Sequence, residues 1–279
     1  MIYTLIENDE DIIKLIKYFD NNNITRIAMD FEGNFNLHAY GNKLCLIQIF
    51  DGKKYFVIDP FKIKNEEIIK FLRNKQIIKY MYGVESDFNL IYLEYGIFIK
   101  NVFDLKLIVD IFKLKNNSLN DVLKYYFFIE IKNKKKYQLY NWIKRPINED
   151  AIQYALNDVA YLLKLNDYLM EEIKKNNKYE ELIYKLIKKE YLPNNNKNSV
   201  IFKNEKFIKL SYENKIIFKS IYEIRENYAK KYNMPPFHII NNDVLFDIVN
   251  KNIKEIKISK KLPVTKQNEL KEIIIKKLI

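Results

Sequence analysis

The stretch ITRIAMDFEG, Ile24 to Gly33, constrains the chain more than any other: an apolar run ending in two acids one residue apart, Asp30 and Glu32. The run reads as a strand. Strand side chains alternate faces with a period of two, so the two carboxylates leave from the same face. Like charges then meet at one spot and resist burial unless a divalent cation, a shared proton or plain water relieves them. Phe31 points the opposite way, into core or toward a stacked ligand. Any fold for this chain must bring the end of a core strand to a place where the acids find that relief.

The chain has 279 residues, enough for about two domains with sizeable cores. Lys, Asn or Asp interrupts every Ile-rich segment, so no apolar run approaches the roughly 18 to 20 residues of a membrane span. No membrane is expected among its partners. The acids Glu7, Asp9, Glu10 and Asp11 argue against a secretory leader. The single cysteine, Cys45 in LCLIQIF, has no partner for an internal disulfide and reads as a small buried hydrophobe, which fits a cytoplasmic location. The net charge of +12 points to a polyanionic partner, although an Ile-, Lys- and Asn-rich composition also supplies lysines without function. The distribution says more. From Pro193 onward 18 Lys and Arg face 9 Asp and Glu, against 30 and 27 before it, so the acids of the Asp30 strand lie in the nearly neutral part and the excess charge lies beyond.

In chain order, MIYTLI reads as a short strand and DEDIIKLIKYF as a helix, stopped by DNNN before the Asp30 strand. A polar segment through Tyr40 and a Gly41-Asn42 turn lead to KLCLIQIF and KKYFVIDP, two strands joined by a hairpin turn at Asp51-Gly52. Next come the helix NEEIIKFLRN with Asn65 as its cap, the strand IIKYMYG, and the helix ESDFNLIYLEYG closed by Gly96. Asp87 lies in the first turn of that last helix, directly beyond an interior strand. There the helix dipole alone would account for an acid. Asp104 ends a short strand in NVFD, as a weaker candidate for a supporting acid or helix cap, and Ser118 caps NSLNDVLKYYF. KNKKK, Lys132 to Lys136, reads as a flexible basic connection, either a solvated loop or a nucleic-acid contact.

Asn148 then caps a long helix, NEDAIQYALNDVAYLLKLNDYLMEEI, on which Tyr154 and Asp158 lie four residues apart and share a face. Taken alone, such a pair is commonly a core tyrosine and a surface acid. The combination of a strand-end Asp-x-Glu, a helix-start Asp and a late helical Tyr-x-x-x-Asp is much rarer than any of its parts.

With these motifs in order, the chain resembles the ribonuclease D family of DEDD exonucleases, in the subgroup whose third motif contains tyrosine. The resemblance covers MDFEG with LCLIQIFDGKKYFVIDP, GVESDFNLI, QLYNWIKRPI and YALNDVAYLL, roughly Ile24 to Leu169. Ile147 stands where the family's Trp-x-x-Arg-Pro-Leu signature has leucine. The resemblance implies an α/β ribonuclease H-like exonuclease fold, a mixed five-stranded sheet with flanking helices, over residues 1–192. It implies that Asp30, Glu32, Asp87 and Asp158 hold two Mg²⁺ or Mn²⁺ ions and that Tyr154 orients the attacking water. Hard divalent cations prefer carboxylate oxygen, and tyrosine, with an ordinary pKa of about 10, suits a hydrogen-bonding role better than that of a base. Phe31 and Gly33 become candidates for gripping the terminal nucleotide. Trp142 and Arg145 are either substrate contacts or a structural brace, and His38 either meets RNA or faces solvent.

After a linker over 193–209, residues 210–279 are wholly helical in pattern, and IYEIRENYAKKYNMPPFHIINNDVLFDIV resembles the HRDC domain, a small helical nucleic-acid-binding module. Arg225 and Lys230 are either phosphate contacts or part of a solvated helix face. The expected function is a metal-dependent 3′ to 5′ exoribonuclease that releases nucleoside 5′-monophosphates from stable RNA such as tRNA precursors. The alternatives are a Werner-type nuclease acting on single-stranded DNA, or a non-catalytic RNA-binding adaptor. The adaptor would be expected to have lost a metal acid, and all four are present. No phosphate-binding Gly-x-x-x-x-Gly-Lys loop occurs, which disfavours a helicase.

Overall fold

The computed structural model describes residues 1–131, 134–191, 200–251 and 256–278. Two compact units divide the chain. The first comprises Met1–Asn34 and Asn42–Pro193, and the second combines Phe35–Gly41 with Asn194–Ile279.

The first unit is built on strands β1 (Tyr3–Ile6), β2 (Arg26–Phe35), β3 (Asn42–Phe50), β4 (Tyr55–Ile58), β5 (Ile78–Met81) and β6 (Val102–Asp104). They form one sheet in the order β1-β4-β3-β2-β5-β6. β3 runs antiparallel to β4, whereas β1 pairs parallel with β4, β2 with β5, and β5 with β6. The sheet therefore has six strands rather than the five implied by the resemblance, because the short edge strands β1 and β6 both join the ladder. The registers Ala28↔Tyr80 and Met81↔Asp104 bring the C-terminal ends of β5 and β6 to one edge, level with the middle of β2, so Asp30 and Glu32 lie within that strand, which continues to Phe35, and not at its end. In a sheet of this kind that edge is the natural place for a ligand.

Alternation sets the two faces. Ile27, Met29 and Phe31 pack in one core with α1 (Asp9–Asn21), α2 (Asn65–Leu72) and α3 (Glu85–Tyr95). Ala28 belongs to the other, with α4 (Lys106–Ile111), α5 (Leu119–Phe127), α7 (Glu149–Ala160) and α8 (Leu162–Lys175), while α6 (Lys134–Gln138) and α9 (Tyr179–Lys188) complete the unit. Asp30 and Glu32 share the parity of Ala28, and so leave β2 on the α7 side.

Helix ends follow local chemistry. Asn8, Ser118 and Asn148 each accept a backbone N–H in the first turn of α1, α5 and α7, and Gly96 closes α3 in the left-handed region at φ +66°. Three readings are corrected. Asn65 is the first helical residue, with Lys64 at the cap position and no side-chain bond there. The segment read as a flexible KNKKK connection enters α6 at Lys134, while 132 and 133 lie outside the described residues. The helix begun at Asn148 is interrupted at Tyr161, where neither glycine nor proline marks the break.

Arg145 is a brace. Its Nε and Nη2 donate to the two oxygens of buried Asp59 at 2.6 and 2.9 Å, its remaining N–H groups reach the carbonyls of Trp142 (2.6 Å) and Cys45 (2.7 Å), and the guanidinium lies 4.3 Å from the centre of the Phe61 ring. Trp142 is likewise buried, edge-on to Tyr140. Both residues serve the fold at this corner.

In the second unit α10 (Glu205–Ile208), α11 (Tyr212–Lys231), α12 (Pro236–Ile239), α13 (Asn242–Val249) and α14 (Val264–Leu278) surround a core of Phe207, Phe218, Ile221, Phe246 and Leu270. Tyr40 packs against it. Of the stretch read as a linker, residues 200–208 carry a 3₁₀ turn and α10, and contribute Ile201 and Phe207 to this core. Arg225 is not a surface cation. It is buried, with Nη1 donating to Asn242 Oδ1 at 2.6 Å and to the Ile240 carbonyl at 3.2 Å, whereas Lys230 is exposed.

Removing one member of this partly buried ion pair strands the other, at a cost of about 2 kcal/mol. Arg145→Ala and Asp59→Ala are each expected to lower the thermal midpoint of the first unit by several degrees. The double variant should lose little beyond either single one, as measured by calorimetry.

Candidate metal centre

Asp30 and Glu32 leave the same face of β2, and α7 lies over that face. Asp158, in the last turns of α7, meets them there: one carboxylate oxygen from each of the three lies within 4.8 Å of the others. All the donors are carboxylate oxygens, the set suited to hard divalent cations. Asp87, buried in the first turn of α3, stands outside this triplet, but its charge reaches it. Burial raises the Asp30 carboxyl well above the usual range, and Asp87, Asp158 and Glu32 push it further. Glu32 is raised by burial and then by Asp158 and Asp87. Asp87 itself rises to about 7, from burial and from the neighbouring Asp104. Remote segments thus gather anionic groups whose charges oppose one another. This is the signature of a site suited to metal.

Asp104 holds the frame. One carboxylate oxygen accepts the Gly83 N–H at 2.8 Å and the Lys106 N–H at 3.0 Å, tying the turn after β5 to the start of α4. Gly83 sits at φ +69°, a left-handed turn that leads the chain off β5 into α3 and so places Asp87. Tyr191 donates to the other Asp104 oxygen at 3.3 Å and stacks on Phe88 of α3, with ring centres 4.6 Å apart.

Tyr154 lies one helical turn before Asp158. Burial raises its hydroxyl pKa, with further contributions from Asp158, Glu32 and Asp30, so it remains protonated beside the acids. Its ring stacks on Tyr137 at 4.5 Å, the first of a series that continues to Tyr140 (6.1 Å) and Trp142 (4.8 Å). A cleft of about 280 Å³ opens beside the acids, lined by Asp30, Asp158, Tyr82, Gly83, Lys106 and residues 117–119.

The five residues of the three motifs are therefore brought to one place. Phe31 is 7% exposed and packs in the opposite core, Trp142 and Arg145 belong to the brace, and His38 belongs to the second unit. Gly33 directly follows Glu32 on β2, half-buried. Tyr137, Tyr82 and Lys106 escape a sequence reading. Tyr137 left a trace in the aromatic spacing of YQLYNW, and the other two left none.

A mixed sheet whose inner strand delivers two acids to a helical Tyr-x-x-x-Asp has the architecture of metal-dependent exonucleases. Residues 3–174 match the sequence model of the 3′-5′ exonuclease family, and the chain belongs to that family. Residues 215–273 match the HRDC domain. Among curated relatives, exosome complex component 10 of Homo sapiens is 30% identical over 156 residues, covering 54% of this chain and 17% of that protein. Ribonuclease D of Haemophilus influenzae is 30% identical over 151 residues, covering 53% and 37%. The chain thus spans well under half the length of either relative. The solved catalytic core of RRP6 from Trypanosoma brucei superposes with a TM-score of 0.78 at 20% identity, over 99% of this chain and 80% of that one.

The raised carboxyls set the pH dependence of the metal-free protein. A folded-state pKa of about 7 for Asp87 lies above the ordinary value of about 3.9, so the native state holds protons that the unfolded chain releases. In EDTA, stability should fall as the pH rises from about 4 to about 7. Mg²⁺ or Mn²⁺ should restore it, and Asp87→Asn should flatten the slope, all read as thermal midpoints across that range.

Proposed function

We propose that this protein is a 3′-5′ exoribonuclease that releases nucleoside 5′-monophosphates from RNA 3′ ends. The observation that carries the reading is the meeting of Asp30, Glu32 and Asp158 within 4.8 Å, with the Asp87 charge and the Tyr154 hydroxyl beside them. Asp30, Glu32, Asp87 and Asp158 would hold two divalent cations, Mg²⁺ or Mn²⁺. These supply an activated water and stabilisation of the departing 3′ oxygen. Tyr154, kept protonated by its acidic surroundings, serves as a hydrogen-bonding group that orients the attacking water, and the Tyr137 stack fixes its ring. The acids are half-buried, which strengthens the charge interactions among them relative to bulk water.

RNA is favoured over DNA by the company the chain keeps, a ribonuclease and an exosome component. Precursors of tRNA or other stable RNAs with 3′ tails are the substrates proposed, in the cytoplasm. The excess positive charge beyond Pro193 and the HRDC domain suit the second unit to the phosphate backbone upstream of the trimmed end. Among the described residues no helix is long and apolar enough to cross a membrane.

The test is incubation of end-labelled RNA and single-stranded DNA with Mg²⁺, Mn²⁺ or EDTA. Stepwise shortening of RNA from the 3′ end is expected with metal, and none with EDTA. Asp30→Asn and Asp158→Asn should abolish shortening with the circular dichroism spectrum intact, and Tyr154→Phe should lower turnover about a hundredfold by misplacing the nucleophile. Preference for DNA would move the substrate to the alternative nuclease, and persistent activity in Asp30→Asn would remove the metal assignment.

A further inference from the structure

We infer that Lys106 is a substrate-positioning residue, its ammonium holding a backbone phosphate of the strand in the acidic cleft; this rests on the exonuclease reading. Among the described residues lining the cleft, Asp30 and Asp158 carry negative charge and Lys106 alone carries positive charge. Its position is built rather than incidental. The Lys106 N–H donates to the Asp104 oxygen that also accepts from Gly83, which pins the base of the side chain. The stem then runs past Gly83, close enough that a Cβ there would lie in ordinary contact with Lys106 Cδ at 3.5 Å, so the lysine follows the turn along the wall.

Two plainer roles can be weighed against this one. The first is ion pairing with Glu85, whose carboxyl Lys106 does help to lower. But Glu85 already has a closer partner in Lys189, at 2.5 Å, which is the first cause of that lowering. The second is balancing the catalytic acids. Two divalent cations would by themselves neutralise Asp30, Glu32, Asp87 and Asp158, leaving Lys106 as the uncompensated charge in the cleft. An entering phosphodiester brings one negative charge, the complement of that cation. A lysine ammonium also suits such a role, being a compact point charge on a flexible stem, able to follow a phosphate that moves one nucleotide at a time.

The experiment measures binding of a short 5′-fluorescein-labelled single-stranded RNA to the full chain at saturating Ca²⁺, by anisotropy over a range of salt concentrations. Lys106→Gln should bind roughly tenfold more weakly, as expected for a lost charge-assisted contact, and its salt slope should be shallower by about 0.7, the value for one phosphate of a single strand. Lys106→Arg should recover most of both. A single methylphosphonate at one of the first two linkages from the 3′ end should weaken the wild type and leave Lys106→Gln unchanged, which identifies the phosphate contacted. Equal affinity and slope in Lys106→Gln would overturn the proposal. So would a variant altered only in the metal concentration it requires, which would assign Lys106 to charge balance. Shortening of the same RNA by the wild type in Mg²⁺ is scored separately. Its absence would remove the exonuclease reading, while the binding comparison would still decide the role of Lys106.

Discussion

Mutual repulsion among half-buried carboxylates is the constraint on which the first unit depends. Asp30, Glu32, Asp87 and Asp158 come from a strand and two helices far apart in sequence, and each resists the approach of the others. The fold overcomes that resistance with rigid backbone. β2 cannot turn its acids away without moving the apolar residues that alternate with them, and α7 cannot withdraw Asp158 without exposing Ala155 and Val159. The apolar cores on the two faces of the sheet therefore hold the acids together against their own charge. This is why the site belongs to a large α/β unit and not to a loop.

Asp104 shows how the edge of the sheet is made exact enough for such a site. It has no place in the acidic triplet, yet two backbone N–H groups and a tyrosine hydroxyl converge on it, from the turn after β5, the start of α4 and the chain beyond α9. One carboxylate fixes the turn that places Asp87 and the backbone that carries Lys106. The second unit uses a buried charge similarly: Arg225 ties α11 to the carbonyl of Ile240 and to Asn242, the first residue of α13. In both units a polar group that looks available in sequence is spent on holding elements together.

Most of the architecture was legible because it rests on local periodicity. The alternation of RIAMDFEG assigned Asp30 and Glu32 to one face, helical spacing joined Tyr154 to Asp158, and Ser118, Asn148 and Gly96 marked ends that local hydrogen bonding and backbone freedom dictate. Partnership across the chain was not legible. Nothing in the local sequence pairs Arg145 with Asp59, 86 positions away, or turns Arg225 inward to the Ile240 carbonyl. Lys106 looked like one lysine among many in a lysine-rich chain, and only its place on the wall of the cleft, beside Asp30 and Asp158, gives it a destination. The interruption at Tyr161 left no signal because neither a helix-breaking residue nor a change in apolar spacing accompanies it.

The row of rings from Tyr154 through Tyr137 and Tyr140 to Trp142 ends beside the Arg145 corner. Only the first contact is stacked; Tyr137 meets Tyr140 at a tilt and Tyr140 meets Trp142 edge-on, so each ring is wedged by the next and the aim of the Tyr154 hydroxyl is inherited from the far end of the row. Warming that loosened this corner would blur the nucleophile's trajectory while the sheet and its acids stayed in place. Catalytic competence would then fade at a lower temperature than secondary structure, giving the enzyme an inactivation point distinct from its melting point.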